Sequence, residues 1–232
     1  MDYFERALQL DPDLERAQVG LAGMLSLRVG SFHAGDAAKD LDRADTLIAS
    51  ALSVAPNDAW AHEFKASVFF ARKQFAGALS ELKVAIEINR NFAPAYGFYG
   101  ATLIFVGRAA ETIPNVETAL RLSPRDPYLS LWESHICTAH MYLAEWEQAV
   151  EWCEKSIATN ANNWAPHVAL VSAYGWLRRD ADAKAAIAEL LKLKPGFTVQ
   201  SWANINWSDD PTFQREYLRI TEGLRMAGLP EK

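Results

Sequence analysis

Histidines are the first residues in this sequence that could bind a metal or take part in catalysis. His62 and Glu63 match the first half of the zinc-protease pattern H-E-x-x-H, but Ala66 stands where the second histidine is required. His135 and His140 are five residues apart, which separates them by about 500° around a helix axis, so they do not share a face well. The sequence therefore predicts no metal site and no cofactor.

The two cysteines of the chain, Cys137 and Cys153, are too few for a disulfide framework. They are also too far apart in sequence for a C-x-x-C metal or redox motif. Both fall within predicted helices, and Cys137 occupies a position where small residues recur. We interpret them as core residues of a protein in a reducing, cytoplasmic compartment.

Other common catalytic and ligand-binding motifs are not found in the sequence. It contains no G-x-x-x-x-G-K-[ST] phosphate loop, no G-x-G-x-x-G dinucleotide motif and no G-x-S-x-G nucleophile motif. The 23 basic and 29 acidic residues give a net charge of −6, which disfavours nucleic acid as a partner. The sequence has no run of 18 apolar residues that could insert into a membrane. We therefore expect a protein that is not an enzyme.

The elements that must position any functional residue form an internal repeat. Similar helix-ending segments recur along the chain, and they end at Pro12, Pro56, Arg90, Pro124, Ala161 and Pro195. The successive steps are 44, 34, 34, 37 and 34 residues. Small residues recur twelve positions before five of these ends, at Ala44, Ala78, Thr112, Ala149 and Ala183. Such residues allow two antiparallel helices to approach to about 8–10 Å.

With these positions the chain resembles the tetratricopeptide repeat (TPR) family over nearly its whole length, because 34 residues is the period of that helical hairpin. Gly107-Arg108, 146–149 and 177–183 look like the turn between the two helices of a repeat. The resemblance implies an all-α fold, a right-handed α-solenoid of antiparallel helix hairpins that forms a superhelix. It predicts about five full repeats within 1–195 and a C-terminal capping segment over 196–232.

The same pattern predicts the helix bounds. The expected helices are 2–11, 15–29, 37–54, 58–72, 75–89, 93–106, 110–122, 127–143, 146–159, 163–178, 181–193 and 210–227. About ten extra residues around Gly30–Asp36 predict a surface loop, either tolerated or in contact with a partner. Residues 2–11 look like the second helix of a hairpin whose first helix is missing, so we expect the chain to be a fragment of a longer protein.

A second resemblance covers residues 130–232. It depends on the stretches 138–152, 193–199 and 222–231. They resemble the repeat region that follows bacterial class III adenylate/guanylate cyclase domains, and that of some winged-helix transcription regulators. The resemblance implies a regulatory or docking part of a larger bacterial signalling protein. No catalytic residue of a cyclase can be assigned in this chain.

The first helices of TPR hairpins line a concave groove, and the family's spacing predicts which residues face it. Where chaperone-binding members place residues that clamp a terminal carboxylate, this chain has Val19, Glu63, Gly97, Ser134 and Val168. That function is therefore not expected. Aromatic side chains beside small residues instead suit an apolar peptide or helix. The predicted partner-binding residues are Trp60, Glu63, Phe70, Phe105, Thr138, Tyr142 and Trp176.

Alternatives remain for both the site and the function. The aromatic residues could simply pack against neighbouring second helices. The favoured function is a protein interaction module that docks a peptide, a partner or its own upstream effector domain. The alternatives are a sensor domain that closes on a small amphipathic ligand and an enzyme of unrecognised type. An open channel across several repeats favours the module, whereas a filled pocket with convergent polar groups favours the sensor.

Overall fold

The protein is described here by a computed structural model that covers residues 1–30 and 36–232. These residues form thirteen α-helices and no strand, which confirms the predicted all-α fold. The helices are α1 (Asp2–Leu10), α2 (Glu15–Gly30), α3 (Ala37–Val54), α4 (Ala59–Ala71), α5 (Phe75–Ile88), α6 (Ala93–Ile104), α7 (Ala109–Leu122), α8 (Leu129–Tyr142), α9 (Trp146–Thr159), α10 (Trp164–Trp176), α11 (Asp180–Leu193), α12 (Val199–Ala203) and α13 (Pro211–Met226). The predicted insertion around Gly30–Asp36 lies largely outside the described residues.

Successive helices pack as hairpins. Helix α2 packs against α3, α4 against α5, α8 against α9, and α10 against α11. Between α6 and α7, the Thr112 hydroxyl donates a hydrogen bond of 2.8 Å to the Gly100 carbonyl. The recurring small residues are all buried, namely Ala44, Ala78, Thr112, Ala149 and Ala183. This burial confirms the close helix approach that the repeat pattern requires.

Helix starts follow from local capping. The Asp58 carboxylate accepts a hydrogen bond of 2.9 Å from the Ala61 amide at the start of α4. Asp210 caps α13 in the same way, and Pro211 occupies the first turn of that helix. An N-cap side chain satisfies an amide that has no partner within the helix, and proline at this position loses no helical hydrogen bond.

The described chain divides into two compact units, Met1–Tyr99 and Gly100–Lys232, called here the first and second unit. Large apolar residues such as Leu21, Leu25 and Ile48 form a core in the first unit. In the second unit one continuous core joins α8–α11 to the C-terminal segment, which contributes Phe213 and Leu224. Residues 196–232 therefore contribute side chains to the core of the second unit.

A disulfide joins Cys137 on α8 to Cys153 on α9, with the two Cα atoms 5.1 Å apart. Both residues are fully buried, as expected for core positions. This pairing was not predicted, although the two positions face each other across one helix hairpin. Counts and sequence spacing alone gave no sign of this pairing.

Candidate functional site

Trp60 is the aromatic residue of the predicted site that is most open to solvent. It lies in the first turn of α4, and its side chain is 47% exposed. One side of the indole is held by packing, since its centroid lies 4.6 Å from that of Phe92 and 5.5 Å from that of Phe64. An aromatic ring that is fixed on one side and exposed on the other offers apolar area at little cost in conformational entropy.

Glu63 lies one helical turn after Trp60, on the same side of α4. Its side chain is half-buried, and its buried Oε2 has no hydrogen-bond partner among the described residues. Burial raises the pKa of Glu63 to about 8. The carboxyl is therefore mostly protonated at neutral pH and can donate as well as accept a hydrogen bond.

Phe70 is held by aromatic packing within the first unit. Its ring centroid lies 5.3 Å from those of both Phe75 and Phe98. The side chain is half-buried, so it contributes to both the core and the surface.

Trp60, Glu63 and the half-buried Ser67 follow one another at helical spacing on α4. We call these three residues the α4 surface.

Two of the predicted groove residues of the second unit, Phe105 and Tyr142, are covered by the chain's own C-terminal helix. Phe213 of α13 is 1% exposed and stacks on Phe105 with a centroid distance of 5.6 Å. It also meets Tyr142 edge-on at 5.7 Å, and Tyr142 is 3% exposed. Burial raises the pKa of Tyr142, and the nearby Tyr217 and Glu216 raise it further. Helix α13 therefore lies on the surface predicted to bind a partner.

Helix α13 also contacts α10, through hydrogen bonds and through close backbone packing. Ser172 Oγ donates a hydrogen bond of 2.9 Å to the Ile220 carbonyl, and Trp176 Nε1 donates one of 2.9 Å to the Arg219 carbonyl. A Cβ atom added to Gly175 would lie 2.1 Å from the Gly223 carbonyl oxygen. The two helices thus touch through backbone atoms, which only glycine permits here.

Thr138 is the remaining predicted site residue. Its hydroxyl donates a hydrogen bond of 2.9 Å to the Ser134 carbonyl within α8, and the side chain is half-buried. Trp176 stacks nearly parallel on Trp146, with centroids 5.1 Å apart. The seven predicted residues therefore lie in two places: Trp60, Glu63 and Phe70 in the first unit, and the other four in the second, where Phe105, Tyr142 and Trp176 contact the C-terminal segment.

Sequence reasoning missed the glycines that seat α13. Gly175 and Gly223 both stand inside helices, where glycine is less favourable than alanine by about 1 kcal/mol. An interior glycine that occurs despite this cost often marks a close helix contact. These two positions carried a sequence signal for the seat of α13.

The described part of the chain contains no cluster of three histidine, cysteine or acidic residues that could hold a metal ion. Nor does it contain a helix whose length and apolar character would let it cross a bilayer.

Comparisons with known proteins identify the fold. No protein-family model and no curated protein matches the sequence. Among solved structures, PilF of Pseudomonas aeruginosa matches with a TM-score of 0.68 and 18% identity, over 92% of this chain and 88% of that one. A chain of the Cut9–Hcn1 hetero-tetramer of the APC/C matches with a TM-score of 0.75 and 14% identity, over 94% of this chain and 39% of that one. YrrB, described as a TPR protein with an unusual peptide-binding site, matches with a TM-score of 0.57 and 13% identity, over 83% of this chain and 93% of that one. The likeness shows a TPR-type helical solenoid fold.

Proposed function

We propose that this chain is a non-enzymatic protein–protein interaction module that docks an apolar peptide or partner segment on the α4 surface. The observation that carries this proposal is the half-open indole of Trp60, which is supported by Phe92 and Phe64 yet exposed over 47% of its area. Exposed aromatic residues on a rigid helix are typical energetic centres of protein interfaces. The match to a solved TPR protein with a peptide-binding site supports the same function by analogy of fold.

The carboxyl of Glu63 determines what kind of polar group a docked partner should place beside Trp60. Its buried Oε2 is out of reach of a docked partner, but the side chain is only half-buried, so a partner can pair with the accessible part of this carboxyl beside Trp60. A peptide main chain offers both a hydrogen-bond donor and an acceptor. The α4 surface therefore suits an apolar side chain that packs on Trp60 while a neighbouring peptide group pairs with Glu63.

Photo-crosslinking tests this proposal. A benzophenone amino acid in place of Trp60 should give one discrete adduct in the host cell. The same group in place of Tyr3, which is 86% exposed on α1, is the control for a position outside the surface. Equal adducts from both positions, or none from position 60, would contradict the proposal.

Truncation of the side chains gives a second readout. Trp60→Ala should weaken binding of the crosslinked partner at least tenfold, while helicity measured by circular dichroism stays nearly unchanged. Adding Phe70→Ala should weaken binding further, with some loss of stability because Phe70 packs on Phe75 and Phe98. Tyr3→Ala should leave binding unchanged.

The wider setting rests on the resemblance of residues 130–232 to repeat regions that follow cyclase domains. On that ground we further propose a regulatory role in a larger bacterial signalling protein, with the upstream domain as one partner. Sequencing the gene upstream of Met1 tests this proposal. An open reading frame that continues into an effector domain would support it, and an in-frame stop directly before Met1 would contradict it.

The redox state of the two cysteines indicates which cellular compartment the protein occupies. The sequence favours the cytoplasm, whereas the Cys137–Cys153 disulfide favours an oxidising compartment, because structural disulfides are rare in the cytosol. Alkylation of free thiols in intact cells distinguishes the two compartments. Two alkylated cysteines would support the cytoplasm, and a protected disulfide would contradict it.

A further inference from the structure

The starts of α2 and α4 lie side by side in the first unit. The two helices pack against each other, and Val19 of α2 shares an apolar cluster with Ala61 and Phe64 of α4. Glu15 is the first residue of α2, and Asp58 is the N-cap of α4. The packing of the two helices therefore brings these two acidic residues to the same end of the pair.

Glu15 and Asp58 form a pair of interacting carboxyl groups. A hydrogen bond between the two side chains raises the pKa of Glu15, and burial and the negative charge of Asp58 raise it further. Arg16 lowers this pKa, but its effect is the smallest of the four. Both acidic side chains are only half-buried, so a docked molecule can reach them. Since two ionised carboxylates repel each other, a cation placed next to them stabilises the pair.

The open side of Trp60 lies next to this carboxyl pair. Trp60 follows Asp58 by two residues, within the first turn of α4. Its indole packs on Phe92 and Phe64 and keeps 47% of its area exposed. The face of an aromatic ring attracts a cation that comes within about 6 Å of its centroid. The indole and the carboxyl pair therefore favour the same kind of group.

The other charges at this end of the surface have the same sign. The stretches 11–16 and 57–63 build it, and their charged residues are Asp11, Asp13, Glu15, Arg16, Asp58 and Glu63. Glu63 is mostly neutral at pH 7, because burial raises its pKa to about 8. His62 contacts α5 instead, with Nδ1 2.6 Å from Glu81 Oε2. The remaining acidic residues outnumber Arg16, so the surface beside Trp60 is negative.

We propose that the segment docked on the α4 surface carries a lysine or arginine next to the apolar side chain that packs on Trp60, and that this cation binds between the indole and the Glu15–Asp58 pair. The inference rests on the proposed function, because it specifies the chemistry of the segment that docks there. Trp60 then anchors the segment, while Glu15 and Asp58 determine which segment is preferred. An acidic residue at the same place is disfavoured by like charge.

Peptide selection on the full chain tests the proposal. The probe is a phage-displayed library of random short peptides, and only peptides that wild type enriches and Trp60→Ala does not are counted. These peptides should contain an aromatic or aliphatic residue with a neighbouring lysine or arginine, about threefold more often than the unselected library. Circular dichroism checks that each variant keeps its helices.

A matched pair of charge variants assigns this preference to its residues. Glu15→Gln combined with Asp58→Asn removes the carboxyl pair and keeps the shape of both side chains, and asparagine caps a helix as well as aspartate does. This variant should still enrich apolar peptides, but without the excess of basic residues. Asp2→Asn combined with Glu87→Gln is the control, because it removes two exposed carboxylates elsewhere in the first unit. The control should keep the basic preference.

An enriched peptide then measures the size of the effect in a double-mutant cycle. Replacing its basic residue by glutamine should weaken binding to wild type about fivefold at low salt. The same replacement should change binding to the variant with Glu15→Gln and Asp58→Asn by less than about twofold. Fluorescence anisotropy with the labelled peptide measures both ratios.

The selection separates failure of this inference from failure of the proposed function. If nothing is enriched, or if Trp60→Ala enriches the same peptides as wild type, the α4 surface docks no peptide and both proposals fail. If the peptides depend on Trp60 but show no excess of lysine or arginine, only this inference is overturned. The same holds if the excess persists without Glu15 and Asp58. A basic preference that needs Trp60 and both acidic residues supports both proposals.

Discussion

At the scale of single residues, the most informative groups are titratable side chains that bury a polar atom with no hydrogen-bond partner among the described residues. Glu63 and His135 each bury such an atom, Oε2 in the first case and Nδ1 in the second. Burial disfavours the charged form of each, so it raises the pKa of Glu63 to about 8 and lowers the pKa of His135 to about 4. The two groups therefore make stability depend on pH in opposite directions.

Glu63→Gln should stabilise the protein at alkaline pH. Between about pH 4.5 and 8 the folded chain keeps a proton on Glu63 that the unfolded chain has released, so the wild-type free energy of unfolding falls as pH rises. Solvent reaches part of this half-buried side chain and reduces the effect below the full linkage value, so we expect the variant to be more stable by roughly 1–2 kcal/mol at pH 8, with most of the difference gone near pH 5. Urea unfolding at the two pH values measures this. The control is Glu147→Gln, which removes an exposed carboxylate from α9.

His135→Gln should flatten the acid side of the stability curve. The unfolded chain binds a proton at this histidine below about pH 6.5, whereas the folded chain does so only near pH 4, so wild-type stability falls as pH drops through that window. Solvent reaches part of this half-buried ring and reduces the effect below the full linkage value, so the variant should lose roughly 2 kcal/mol less than wild type between pH 7 and pH 4. Thermal unfolding of both proteins between pH 4 and pH 7 measures this effect. The same dependence of Tm on pH in the two proteins would refute the prediction.

At the scale of elements, the helix bounds were largely predictable. The observed α3 and α9 have the predicted bounds, and the other predicted helices differ at their ends by two residues or fewer. The reason is local: Asp and Pro at the starts, and the recurring helix-ending segments, act within one or two turns. Such signals are present in the sequence whatever the tertiary structure.

In principle, the disulfide could have been predicted by aligning the repeats with one another. Gly100 and Val116 occupy the same places in the α6–α7 hairpin as Cys137 and Cys153 in the α8–α9 hairpin. A Cβ atom on Gly100 would lie 2.5 Å from the Val116 side chain, so these two places are in direct contact. A comparison of repeats, not the spacing of cysteines alone, would have found the pair.

Replacing both Cys137 and Cys153 by alanine should destabilise the second unit. The disulfide closes a loop with a sequence separation of 16, for which the chain-entropy model gives about 3 kcal/mol. Unfolding of the variant, and of the wild type with and without reductant, measures the loss. Two free thiols in the denatured, unreduced wild-type protein would show that the disulfide is not formed.

At the scale of the whole molecule, the order of the helix hairpins was predictable from the sequence, but the surface on which α13 packs was not. The repeat leaves a period in the sequence, and neighbouring hairpins contact each other in chain order. The contact of Phe213 with Phe105, by contrast, joins residues 108 positions apart and leaves no periodic trace. The aromatic pattern of the candidate groove residues therefore predicted a binding surface without showing that α13 covers part of it.

The aromatic residues predicted to face the groove divide into an open site at Trp60 and a site that the chain itself covers at Phe105 and Tyr142. Hydroxyl-radical footprinting of the full chain, with mass spectrometry of each side chain, tests this division most directly. We expect rapid modification of Trp60 and strong protection of Tyr142 and Phe213. Modification of Tyr142 and Phe213 as fast as that of Trp60, or protection of Trp60 in the free chain, would contradict it.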